Sequence, residues 1–312
     1  MSLPQILIEG FAKLPVLTNA SICSGKTYIV TGGNSGLGLE TARHFVRCSA
    51  ARVIITVRSM EAGENAKKDI EHSTGRKGVI EVWYLDLASF VSVKAFVEKA
   101  TSELDRIDTL IENAGVQLDR WEETEGMEMS MNVNVTSTML LGLLMLPKLQ
   151  ETARRFETET KLVFVTSALG FVAEKELRKS GDVGIFKSLN DPKCADMGQR
   201  YSLSFIFTLI SKANFTTRYA LTKLVQMYAI REFATSYPVD QTGVVVNMIA
   251  PGLCSTGLGR DTSTTTRAIV GGLRAIFART AEEGSRTILH GVVAGKESHG
   301  KLLSGCKIKE YV

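Results

Sequence analysis

Tyr219 and Lys223 stand four residues apart in the run Arg218-Tyr219-Ala220-Leu221-Thr222-Lys223, a spacing that puts both side chains on one face of a helix. An unperturbed phenol ionises near pH ~10, too high for an efficient proton carrier at neutral pH. A nearby ammonium favours the phenolate. The pair therefore suits a step in which an alkoxide gains a proton or an alcohol loses one.

A second constellation, Thr31-Gly32-Gly33-Asn34-Ser35-Gly36-Leu37-Gly38, joins the apolar run at 27–31 to a helical stretch from Leu39 to Cys48. Glycines there let the backbone turn tightly and let a diphosphate approach, while the helix N-terminus offers unpaired N–H groups and a positive dipole end. The next apolar run, Val53 to Val57, ends without an acid, and Arg58 follows. An acid at that place would bind a ribose 2′-hydroxyl, whereas a guanidinium can hold a 2′-phosphate bidentately, so NADP(H) is favoured over NAD(H).

These residues need a frame. Apolar runs at 79–84, 108–111, 162–165 and 244–248 alternate with helical stretches at 60–71, 91–104, a long one carrying Met127, Met131, Leu140, Leu143 and Leu144, and one after Tyr219. Strand and helix alternating through short connections predict parallel strands joined by right-handed crossovers, with helices on both faces. The expected fold is α/β, a Rossmann-type doubly wound, seven-stranded parallel sheet in a single domain over residues 25–312, preceded by an extension over 1–24. Ile6, Leu7, Ile8, Phe11 and Leu14, interrupted by Glu9 and Lys13, predict a short amphipathic helix in that extension, and contact of this helix with a membrane surface stays open.

The ordered set of motifs resembles the short-chain dehydrogenase/reductase family, in the style of fungal reductases of secondary metabolism. The set comprises Thr31 to Gly38, Asp86-Leu87, Asn113-Ala114-Gly115, Asn134, Ser167, Tyr219 with Lys223, then Pro251-Gly252 and Thr256. The resemblance implies hydride transfer between NADP(H) and a carbonyl or secondary alcohol. Catalysis would fall to Tyr219 as acid/base, Lys223 as its activator, Ser167 polarising the carbonyl oxygen and Asn134 holding a water and proton path near Lys223. The cofactor would be held by Thr31, Gly32, Ser35, Gly36, Leu37, Gly38, Arg58, Asp86, Leu87, Asn113, Ala114, Gly115, Tyr219, Lys223, Pro251, Gly252 and Thr256. The substrate is expected to be an apolar small molecule, because Phe171, Leu177, Ile185 and Phe186 lie between Ser167 and Tyr219.

Two departures stand out. Glu112 takes a place where relatives usually carry Asn. Arg-Tyr also occurs twice, at 200–201 and 218–219, which predicts an apolar insertion over 201–218. If it displaced Tyr219, the chain would bind NADP(H) without turnover; an epimerase or dehydratase on the same fold is a third reading. A net charge of +4 without a long basic run excludes a nucleic-acid track. Cys23, Cys48, Cys194, Cys254 and Cys306 show no paired spacing, and the four histidines no metal-ligand spacing, so neither a disulfide framework nor a metal site is expected. Reduced thiols fit a cytoplasmic setting. A homo-oligomer stays open.

Overall fold

The computed structural model describes residues 12–174, 177, 184–192, 218–260, 262 and 264–309. The expected insertion lies outside the described residues apart from Arg218, as does the N-terminal stretch through Phe11.

The main sheet contains β1 (Thr27–Thr31), β2 (Arg52–Val57), β3 (Ile80–Tyr84), β4 (Thr109–Glu112), β5 (Thr160–Val165), β6 (Val244–Ala250), β7 (Leu302–Ser304) and β8 (Lys307–Lys309). Their order across the sheet is β8-β7-β6-β5-β4-β1-β2-β3. The first seven run parallel, as expected. The eighth is a correction: Lys307–Lys309 turns back on β7 as an antiparallel edge. Three-residue strands of this kind are too short to give a periodic signal.

The central strands are buried on both faces, and their alternate side chains feed two cores. Ile29, Leu110, Leu162 and Phe164 join one core with Phe96 of α3 (Phe90–Glu103), Leu141 and Leu149 of α4 (Met129–Arg155), and Leu224 and Ile230 of α5 (Arg218–Ser236). Tyr28, Val30, Ile55 and Val163 join the other with Phe45 of α1 (Gly36–Arg47), Ile70 of α2 (Met60–Thr74), and Ile288 and Leu289 of α7 (Ala281–Val293). Strands covered twice read as continuous apolar runs rather than alternating ones, which is why the sequence reveals them so plainly. Side-chain caps start three of these helices: Ser59, Ser89 and Thr280 accept from backbone N–H groups of the first turn. The N-terminal segment is tied down at Leu14, whose N–H donates to Glu283 Oε1 at 3.3 Å and whose carbonyl accepts from Arg286 at 2.6 Å.

Between β1 and β4 the chain order reverses, and crossovers leave to opposite faces. Sheets of this type open a crevice there, at the carboxyl ends of the strands. Every motif residue of the sequence analysis lies at that end.

Glu112 ends β4 fully buried, and among the described residues neither carboxyl oxygen has a hydrogen-bond partner. Burial alone drives its carboxyl well above the usual carboxylate range. Between the ordinary value of about 4.3 and its own, the folded chain keeps a proton that the unfolded chain has lost. Stability therefore falls as pH rises through that window. Glu112→Met, apolar and of similar volume, is expected to exceed the parent in urea midpoint by a margin that widens from pH 5 upward. A margin constant with pH would show that Glu112 titrates normally.

Candidate active site

The turn after β1 is built by exclusion. Gly32 and Gly36 adopt positive φ, +66° and +56°, which side-chain-bearing residues rarely take. A Cβ on Gly38 would fall 2.5 Å from the Gly32 carbonyl oxygen and 2.6 Å from Asn113 Nδ2, so the first turn of α1 packs onto the turn only as glycine. Thr31 lies behind this turn: its Oγ1 accepts from the Asn113 and Ala114 N–H groups at 2.9 Å, and its carbonyl accepts from Asn113 Nδ2 at 2.8 Å. Thr31 and Gly38 thus shape the turn and fix the loop after β4 without lining the cleft.

The cleft has a volume of about 350 Å³. Of the expected cofactor-binding residues, Gly32, Ser35, Gly36, Leu37, Arg58, Asp86, Leu87, Asn113, Ala114, Gly115, Pro251, Gly252 and Thr256 line it, together with Ser167, Tyr219 and Lys223. Arg58 stands at the end of β2. Asp86 is fixed by its own loop, Oδ1 accepting from the Ala88 N–H at 2.9 Å and its N–H donating to Ser92 Oγ at 2.9 Å.

Asn134 does not line the cleft. It sits in a π-helical turn, Asn132–Ser137, inside α4, and such turns reorient side chains within a helix. Its Oδ1 accepts from the Val116 N–H at 2.8 Å; its Nδ2 donates to the Val116 carbonyl at 2.8 Å and to Thr222 Oγ1 at 3.1 Å. The side chain thus clamps the loop after β4 to α5, and its backbone carbonyl is what faces toward Lys223, through Gln226. Gly115 makes this possible: a Cβ there would lie 3.0 Å from Asn134 Oδ1 and 3.9 Å from Lys223 Nζ.

Tyr219 and Lys223 occupy the buried face of α5, as their spacing predicts. Lys223 Nζ donates to the Val165 carbonyl at 2.8 Å and to Gln226 Oε1 at 3.0 Å, and lies 5.8 Å from the Tyr219 ring centroid. Burial brings the Lys223 pKa down to about 7. Burial also pushes Tyr219 up to about 12, opposed first by a hydrogen bond with Ser167 and then by the charge of Arg274. This direction is opposite to the one the sequence suggests. Two buried ionisable groups each lose hydration, and Lys223 is not among the groups that lower Tyr219.

Other residues at the cleft carry no local sequence signal. Gln117, Cys254, Arg260, Arg274 and Phe277 line it. Arg274, on α6 (Thr264–Phe277), donates to the Thr256 carbonyl at 2.9 Å. Gln226 was legible in principle, being one turn beyond Lys223 on the same helix. Three of the apolar residues expected to meet substrate do not line the cleft: Phe171 and Leu177 pack against the core, and Phe186 is exposed. Ile185 is described for its backbone alone. Leu169, Leu253, Leu258 and Phe277 supply the apolar wall instead.

The comparisons agree with this architecture. The sequence model for short chain dehydrogenases matches residues 26–178. The short chain dehydrogenase atnD of Emericella nidulans is 40% identical over 309 residues, 96% of this chain and 90% of that one. The short chain dehydrogenase/reductase dmxR8 of Cryptosporiopsis is 36% identical, covering 91% and 82% of the two chains. The chain belongs to the short-chain dehydrogenase/reductase family. It is therefore an oxidoreductase of a family that uses a nicotinamide cofactor. Among solved structures, a short chain dehydrogenase from Shigella flexneri complexed with NADP superposes with a TM-score of 0.64 at 19% identity, covering 93% of this chain and 100% of that one. At that identity the likeness concerns the fold.

In this short-chain dehydrogenase, the residue before Tyr219 is an anchor. Arg218 Nε meets Glu128 Oε2 at 3.0 Å, with both side chains buried, and Arg218 also donates to the Leu189 carbonyl. Glu128 accepts further from the Ser130 and Met131 N–H groups at 2.8 and 3.0 Å. The pair ties the start of α5 to the start of α4 and to the segment ending at Asn190. Arg218→Leu would strand a buried carboxylate, and its urea-unfolding free energy is expected to drop by about 3–5 kcal/mol. A loss below about 1 kcal/mol, the range of exposed pairs, would contradict this anchoring.

Proposed function

We propose that the protein is an NADP(H)-dependent reductase or dehydrogenase acting on a carbonyl or secondary alcohol of a small molecule with an apolar body, in fungal secondary metabolism. The observation that carries this reading is the meeting of Tyr219, Ser167 and Lys223 at the floor of a cleft that also contains the glycine turn and Arg58. Placement of Tyr219 in the cleft favours turnover over a binding protein in which an insertion has displaced it.

The residues fit a phosphorylated dinucleotide. Gly32, Gly36 and Gly38 leave the turn without side chains where a diphosphate must approach the first turn of α1. Ser35, Gly36 and Leu37 would hold the diphosphate, Asp86 and Leu87 the adenine, and Asn113 to Gly115 with Lys223 the ribose of the nicotinamide. Arg58 would hold the 2′-phosphate; β2 ends in Val57, with no carboxylate there to repel it. When bound, the cofactor supplies or takes the hydride.

The rest is done by the chain. Ser167 holds the substrate oxygen by a hydrogen bond and fixes the direction of the Tyr219 hydroxyl. Tyr219 gives its proton to that oxygen in reduction and takes it back in oxidation. Lys223, in its ammonium form, would stabilise the phenolate left behind. Leu169, Leu253, Leu258 and Phe277 exclude water from the apolar part of the substrate. The atnD and dmxR8 similarities support an assignment to fungal secondary metabolism, which is a proposal about setting rather than substrate.

Two substitutions test the reading. Tyr219→Phe is expected to lower kcat for NADPH-dependent ketone reduction by roughly 10²–10⁴-fold, the contribution of a placed general acid, with NADPH affinity nearly unchanged. Arg58→Ala is expected to raise the Kd for NADPH by roughly tenfold or more while leaving NADH within about twofold, as loss of a charge-assisted pair demands. NADH binding as tightly as NADPH to the parent would overturn the cofactor assignment. Full activity of Tyr219→Phe would overturn the chemistry.

A further inference from the structure

Lys223 is held by a chain of contacts in which the third member has no place among the motifs. Gln226 lies on α5 at 1% exposure. Its Nε2 donates to the Asn134 carbonyl at 2.8 Å, and its Oε1 accepts from Lys223 Nζ at 3.0 Å. The orientation of this amide is chemically forced. A backbone carbonyl only accepts, so the NH₂ end must face Asn134 and the oxygen must face Lys223. An amide oxygen only accepts in turn, so the amine is held as a donor.

We propose that Gln226 is the positioning residue of Lys223, stretching between the π-helical turn of α4 and the amine so that Nζ is aimed along the floor of the cleft. The Val165 carbonyl fixes a second N–H, at 2.8 Å. In the ammonium form, two acceptors on two different elements leave the amine a single remaining donor, directed by tetrahedral geometry away from both. This rests on the reading of Tyr219 and Lys223 as the acid/base pair.

The surroundings make Gln226 the lever on Lys223. Among the described residues no charged group acts on the amine, whose shift arises from burial. Its titratable neighbour on α5 is Tyr219. Arg274 of α6 and Cys254 after β6 act on Tyr219. The groups packed against Lys223 from β5, from the loop after β4 and from α4 are the Val165 carbonyl, Gly115 and Asn134, none of which titrates. A second consequence follows from amide chemistry. A carboxamide does not pick up and release protons at neutral pH, so Gln226 joins Asn134 to Lys223 as a fixed strut and not as a proton wire.

The experiment pairs Gln226→Leu, which removes the acceptor, with Gln226→Glu, which places a carboxylate on the amine. The upper pH limit of kcat for NADPH-dependent ketone reduction is expected to move down by about one unit in Gln226→Leu, with kcat near pH 7.5 falling roughly tenfold, and to move up by about one unit or more in Gln226→Glu. Profiles of both variants that superimpose on the parent would overturn the proposal.

An activity-free readout separates its failure from that of the functional reading. Between about 7 and 10.5 the unfolded chain holds a proton on Lys223 that the folded chain has lost, so the contribution of Lys223 to stability, read as the parent minus Lys223→Met, rises with pH across that window. Read against Lys223→Met in the same background, this rise is expected to be flattened from its lower end by Gln226→Glu and retained in Gln226→Leu. A parent-like rise in Gln226→Glu would overturn the proposal even if the parent proved to turn over no ketone. A flattened rise with no turnover would leave the strut standing and the reductase assignment fallen.

Discussion

An amine buried without a carboxylate is the constraint around which the cleft is arranged. Taking Lys223 out of water disfavours its charged form, and among the described residues no acid restores it. The chain answers with neutral acceptors placed by backbone: the Val165 carbonyl at the end of β5, and an amide oxygen held out by the π turn of α4. Gly115 keeps its Cβ position open so that Asn134 and Lys223 can approach the same loop. Each of these depends on the parallel sheet ending its strands at one level, because β4, β5 and the faces of α4 and α5 must deliver their atoms to a single floor.

Much of this was legible in the sequence, because its parts are signalled by local patterns. Doubly buried strands announce themselves as unbroken apolar runs, and the six runs read in the sequence, the edge strand β3 among them, sit within a residue or two of their observed bounds. Gly32 to Gly38 and Tyr219 with Lys223 could be read because backbone conformation and helix periodicity act over only a few residues. Spatial order was harder. The antiparallel return at Lys307–Lys309 is three residues long and its pairing is decided by tertiary contact with β7, which no periodicity encodes.

The site was legible where a residue touches the cleft by its own side chain, and illegible where it acts by position. Asn134 illustrates the limit: its amide grips Val116 and Thr222, and only its carbonyl reaches toward the amine. The apolar residues Phe171 and Leu177 were read as substrate wall because of where they fall in the chain. They satisfy the core instead, since burying an apolar side chain in packed protein is stabilising wherever space allows. Leu253, Leu258 and Phe277 reach the cleft through segments far along the chain, brought there by the crossover after β6.

The electrostatics of Tyr219 draw the two sides of the cleft together. Its phenol is opposed by burial and helped first by Ser167, then by Arg274. Ser167 belongs to the rigid end of β5, where it also caps the turn that follows through Leu169. Arg274 belongs to α6 and donates to the Thr256 carbonyl. Coulomb interaction in a weakly polar cleft changes steeply with distance and with exclusion of water. The readiness of Tyr219 to give up its proton is thus set jointly by a fixed floor and by how closely α6 lies over it. Because Thr256 also stands against Gly36 in the diphosphate turn, the same segment that brings Arg274 to the phenol touches the turn that would hold the cofactor. With a cofactor held by that turn, its seating and the acid strength of Tyr219 would meet at Thr256 and Arg274, without any contact between Arg58 and Tyr219 being required.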